Sequence, residues 1–197
     1  MKVIHILLCM LISAPILKAQ DKTAGEAAYI KTVTQRSDKI LAALQLPDSA
    51  KYKRVRASMV NQYVALNDYH EQKKKQSADE SRLSALHTRY ISELSSELNK
   101  KEVDQIKDGM TYGVLPVTNK AYQDMIPSLK EEEKAQIMTW LTEARELAMD
   151  AGSSEEKHQV FGKYKGRINN YLSAHGYDLQ KERKEWEERI KAEKSKK

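Results

Sequence analysis

Apolar residues recur every three or four positions along almost the whole chain. Ile30, Val33, Ile40, Leu41 and Leu44 form the first stripe, and Pro47 follows it. From about Asp48 a second runs through Tyr52, Val55, Met59, Tyr63, Leu66 and Tyr69. A third holds Leu83, Leu86, Tyr90, Leu94 and Leu98, and a short piece adds Val103 and Ile106. After Pro127 a fourth carries Ile137, Trp140, Leu141, Ala144, Leu147 and Ala148, ending near Gly152. Phe161, Tyr164, Ile168, Tyr171 and Leu172 form the fifth. This spacing puts one buried seam on each α-helix, and no segment sustains the alternation of a strand. Capping-box signals precede the stripes: Thr23 with Glu26, Ser77 with Glu80, Asn99 with Glu102, Ser128 with Glu131, Ser153 with Glu156. At such sites the first side chain accepts from the backbone amide three residues on, while the acid there accepts from the first residue's amide.

Seams of this kind bury themselves only against other helices. The expected fold is therefore all-α, an irregular bundle of five to seven helices in one domain over residues 20–197. The segment 108–122 stands apart, because Gly109, Gly113 and Pro116 oppose a continuous helix. It is also apolar, with Met110, Tyr112, Val114, Leu115 and Val117. It reads as one long apolar loop folded over an end of the bundle, with Thr118 opening a short helix before Pro127. A loop of that length either plugs the core or contacts a ligand. The stretch from about 181 to 197 reads as a solvated, charge-laced tail helix.

The N-terminus changes the compartment. Lys2 precedes an apolar run from Val3 to Leu17, and Ala19 offers a small residue for cleavage. Residues 1–19 therefore read as a secretory signal peptide, too short for an ordinary membrane span. The expected location is periplasmic or secreted, with no membrane partner after cleavage. The single cysteine, Cys9, would leave with the leader. Of 197 residues 34 are Lys or Arg and 28 Asp or Glu, a net charge of +6. Without Lys2 and Lys18 this falls to +4, and the tail from Lys181 carries +3 of it. The body is nearly neutral, which argues against a nucleic-acid partner.

Catalytic and cofactor motifs are absent. There is no Walker loop, no His-Glu-x-x-His and no Gly-x-Ser-x-Gly, so no cofactor is expected. Glu155 and His158 form a lone Glu-x-x-His pair, whereas a di-iron bundle needs two. No metal site is expected.

The most unusual helix is the fifth. Gly162 and Gly166 sit four apart inside it, each costing about 1 kcal/mol relative to Ala. A strip without side chains admits either a closely crossing helix or a small polar ligand. His158, Lys165 and Asn169 flank that strip. The tyrosines offer flat faces with a hydroxyl, suited to a sugar ring, although most lie on core seams. Tyr112 and Tyr122 fall outside the long helices.

Met110 to Thr118, Ala121 to Pro127, Trp140 to His158 and Phe161 to Tyr171 are similar to a family of secreted proteins from Gram-negative gut bacteria. That family is classed as a domain of unknown function and proposed to bind sugars. The resemblance spans residues 108 to 178, implies an exported helical protein near carbohydrate use, and brings no catalytic residue.

The expectation is thus a non-enzymatic carbohydrate-binding or glycan-utilisation accessory protein, with a saccharide as partner. Its cleft would join the 108–122 loop, the fourth helix from Trp140 to Asp150 and the Gly-marked face of the fifth. The candidate ligand-binding residues are Tyr112, Thr118, Tyr122, Trp140, Asp150, His158, Lys165 and Asn169. Two rivals remain. One is a glycan-acting enzyme with His158 or Lys165 as base and Asp150 as acid. The other is an interaction module whose partner helix crosses Gly162 and Gly166.

Overall fold

A computed structural model describes residues 14–75 and 79–195, with side chains from residue 25 onward. The first part of the expected leader, residues 1–13, lies outside the described residues. Among the described residues eight helices follow in order: α1 (Ala14–Ala42), α2 (Ser49–Lys75), α3 (Glu80–Glu97), α4 (Lys100–Met110), α5 (Val114–Met125), α6 (Glu131–Met149), α7 (Ser154–Ala174) and α8 (Leu179–Lys194). No strand occurs among the described residues. The all-α class holds, with one helix more than the expected five to seven.

The expected loop is not a loop: α4 runs on to Met110, and after a tight turn α5 starts at Val114, ahead of the expected Thr118. Each supposed breaker sits where a helix tolerates it. Gly109 lies in the last turn of α4, and a Cβ there would stand 2.7 Å from Ile40 Cγ2 on α1. Only glycine allows that approach. Tyr112 and Gly113 turn the chain with φ of 59° and 66°. Pro116 occupies the first turn of α5, where its missing N–H is spare.

Start signals are partly as expected. Asn99 accepts from Glu102 N–H while Glu102 accepts from Asn99 N–H, a complete capping box. Asp48 accepts from the amides of Ala50 and Lys51, opening α2. For α6 the pairing shifts by two residues, since Glu133 accepts from Lys130 N–H. The Thr23–Glu26 signal opens nothing, because α1 runs through it. Asp79 caps α3 by accepting from Ser81 N–H, and Ser77 lies outside the described residues.

Two apolar clusters form the core. The first joins α1 to α4 through Val33, Leu41, Val55, Met59, Tyr90, Leu94 and Ile106, and takes in Met149 of α6. The second joins α5, α6 and α7 through Leu115, Ile126, Ile137, Leu141, Ala144, Phe161 and Ile168. A charged seam fastens one to the other. Arg145 of α6, its side chain 7% exposed, donates to Asp104 at 2.6 Å and Asp108 at 2.9 Å on α4. Lys107 donates to Glu146 at 2.8 Å. His87 of α3 meets Asp150 at 2.8 Å and Glu146 at 3.5 Å.

The tail is docked. No residue of α8 is fully buried, yet Arg189 donates to the carbonyls of Asp124 and Met125 at the end of α5. That bond satisfies C-terminal carbonyls of α5 and places a cation at the negative end of its dipole.

Candidate functional site

Two hollows open along α7. The larger, about 550 Å³, is a groove between α5, α7 and α8. Helix periodicity builds its walls: Val117, Thr118, Ala121, Tyr122 and Met125 of α5 share one face, as do Leu179, Arg183, Trp186 and Glu187 of α8. Lys165 and Asn169 of α7 are four apart and close the third side. Tyr122 donates to Asn169 Oδ1 at 2.7 Å and to the Lys165 carbonyl at 3.3 Å. Burial pushes its phenol up to about 12, so it stays a neutral donor. Arg183 donates to Glu187 at 3.1 Å, one turn along α8.

The smaller hollow, about 220 Å³, lies at the start of α7. Tyr29 and Arg36 of α1, Tyr63 and Asn67 of α2, Tyr112 of the α4–α5 turn, and Ser153, Ser154 and Lys157 line it, with no carboxylate side chain among its lining residues. Lys157 is only 5% exposed. Its ammonium donates to the carbonyls of Met110 and Met149, each at 3.3 Å. Those are the last residues of α4 and α6, so the lysine stitches two helix C-termini. Burial first, and then the Arg36 charge, pull the Lys157 ammonium down to about 8. Tyr63 is 5% exposed, and burial raises its hydroxyl to about 12 against the opposing pull of the Arg36 charge and hydrogen bond. The Arg36 guanidinium lies 5.6 Å from the centre of its ring.

Of the eight predicted residues, Thr118, Tyr122, Lys165 and Asn169 come together in the groove. The other four do not. Tyr112 belongs to the smaller hollow, and His158 stacks on it with ring centres 5.6 Å apart. Trp140 lies against α7 instead, edge-on to Tyr171 at 5.2 Å with the Arg167 guanidinium 4.4 Å from its ring centre. It is a packing residue. Asp150 is turned to His87, and its backbone carbonyl meets His70 Nε2 at 2.7 Å. Helix α6 contributes nothing to the groove, contrary to expectation. Nor do the two marker glycines: a Cβ at Gly162 or Gly166 would meet nothing within 4 Å. Among the described residues no helix crosses there. The close approaches are at Gly109 and at Gly152, where a Cβ would stand 2.7 Å from His70 Cγ.

The proposed acid–base set is likewise dispersed. His158 is exposed with Nδ1 against the Ser154 carbonyl, Lys165 is exposed in the groove, and Asp150 faces α3. Among the described residues no group of three His, Cys, Asp or Glu side chains could hold a metal, and no helix is long and apolar enough to cross a membrane.

Sequence reasoning gave the tail helix but missed its docking against α5, and it missed the buried lysine. Trp186, a large aromatic in an otherwise charged tail, was the signal for the docking. For the lysine the signal was register, since Lys157, Phe161, Tyr164 and Ile168 share the seam of α7.

No curated protein was found to match the chain. The family described as "Protein of unknown function (DUF3826)" matches residues 30–80 and 73–192. The two segments together span α2 to α7 whole, with parts of α1 and α8. The chain therefore belongs to the DUF3826 family.

Proposed function

We propose that this protein is an exported, non-enzymatic saccharide-binding protein whose site is the groove between α5, α7 and α8. One observation carries the reading: a half-buried tryptophan, Trp186, shares that groove with Thr118, Tyr122, Lys165, Asn169 and Gln180. An aromatic face covers the apolar side of a sugar ring, and a few placed polar groups fix its hydroxyls. A volume of about 550 Å³ falls in the ordinary range of small-ligand sites. Export is supported by the leader-like residues 1–19. The acid–base residues of the enzymatic rival have no shared site, which favours binding over turnover.

Calorimetric titration with neutral and acidic oligosaccharides tests the proposal. At least one glycan binds, and Trp186→Ala weakens it about tenfold or more, as expected for loss of a central aromatic contact. Tyr112→Ala, outside the groove, leaves that binding unchanged. No binding across the set, or full binding by Trp186→Ala, removes the proposal.

A further inference from the structure

The small hollow at the start of α7 has a composition that folding alone does not account for. Two cationic side chains line it, Arg36 from α1 and Lys157 from α7, without a lining acid between them. They act on each other as like charges. Like charges brought together in a partly desolvated space cost free energy unless something negative joins them. Lys157 has two hydrogen bonds to carbonyls, which are neutral, and an ammonium has three donors. The nearby acids bond elsewhere, although the Asp150 charge still acts on Lys157. Asp150 is bonded to His87, and Glu156 accepts from Gly152 N–H. Glu155, also in the first turn of α7, does not line the hollow. Apart from Arg36, the buried Tyr63 hydroxyl has no partner among the described residues.

We propose that this hollow is a binding site for a small oxyanion, a carboxylate, sulfate or phosphate group, held between the Arg36 guanidinium and the Lys157 ammonium. Arginine presents a planar fork to two oxygens of such a group, and lysine supplies a compact charge. Asn67, Ser153 and Ser154 stand on the same walls to take further oxygens. The site is separate from the saccharide groove and does not depend on that reading.

Thermal-shift and calorimetric titrations with sodium sulfate, inorganic phosphate and glucuronate test it, with ionic strength fixed by sodium chloride and glucose as the neutral control. At least one of the three binds saturably and raises Tm, whereas glucose does not. The preferred probe separates inorganic from carboxylate recognition. Arg36→Gln weakens binding about tenfold, the loss expected for one charge-assisted contact. Because Arg36 is exposed and meets only the ring and hydroxyl side of Tyr63, this variant folds and decides the question even if Lys157→Gln does not. Lys165→Gln, in the groove, leaves anion binding unchanged. Absence of any saturable effect up to about 20 mM, a dissociation constant too weak for a built site, overturns the proposal. So does equal affinity in Arg36→Gln, or an equal loss in Lys165→Gln.

Discussion

Helix α7 is closed at its start and open along its middle, and the two stretches obey different rules. At the start, Lys157 is buried, bonded to the ends of α4 and α6, and Gly152 lies tight against His70. Along the middle, Gly162 and Gly166 face open space, while Lys165 and Asn169 are exposed on a groove. Polar groups in the open stretch are solvated or, like Asn169, accept from Tyr122 across the groove, so changing them costs the fold little. Polar groups in the closed stretch hold the fold and line a cationic hollow at once. A glycine thus means opposite things on the two stretches: clearance at Gly152, bareness at Gly162 and Gly166.

Substitutions on α7 sharpen that contrast, and the largest effect belongs to its buried lysine. Lys157→Met leaves two C-terminal carbonyls without their donor and lowers stability by about 3 kcal/mol. The matched Lys165→Met stays within about 0.5 kcal/mol, as exposed sites do. Urea denaturation of both variants measures the gap.

Gly152→Ala comes next. The His70 ring cannot yield freely, being bonded to the Asp150 carbonyl and edge-on to Tyr69. Overpacking of this kind costs about 2 kcal/mol.

The closed end also responds to pH. Hydrogen bonds to Asp150 and then Glu146 raise His87 to about 9 from its ordinary 6.5. That stabilisation is complete below pH 6.5 and is lost as pH rises toward 9. Between pH 6.5 and 8 stability falls by about 2 kcal/mol, and His87→Gln flattens the profile. On the acid side, burial opposes ionisation of Glu146, but the bonds from His87 and Lys107 bring it down to about 2. Its contribution holds above pH 4.5 and disappears as pH falls toward 2. Melting curves across pH 2 to 9 read both limbs.

The smallest effect has the opposite sign. Gly162→Ala removes a helix-interior glycine with room to spare, and raises stability by about 0.5–1 kcal/mol. A loss of stability there would mean that the open face is covered in solution.

Legibility in the sequence follows the same division. Seams such as Val55, Met59 and Leu66 or Ile137, Leu141 and Ala144 reveal helices because burial of one face repeats every turn. The 108–122 segment misled because Gly109, Gly113 and Pro116 look alike as breakers. Yet one admits Ile40, one turns left-handed and one starts a helix. Such roles depend on neighbours distant in sequence. Part of the candidate groove, Thr118, Tyr122, Lys165 and Asn169, is legible from local exposure patterns. Its α8 wall was not, because Arg189 docks on α5 across more than sixty residues. Arg36 and Lys157 are 121 positions apart, and no local pattern joins them.

The contrast is tested most directly by residue-resolved NMR during a sulfate titration of the wild-type chain. Amide and side-chain signals of Arg36, Asn67, Ser154 and Lys157 shift together with one saturating constant, while the Asn169 amide and the Trp186 indole stay in place. Shifts confined to Asn169 and Trp186, or scattered over every exposed lysine without saturation, would contradict it.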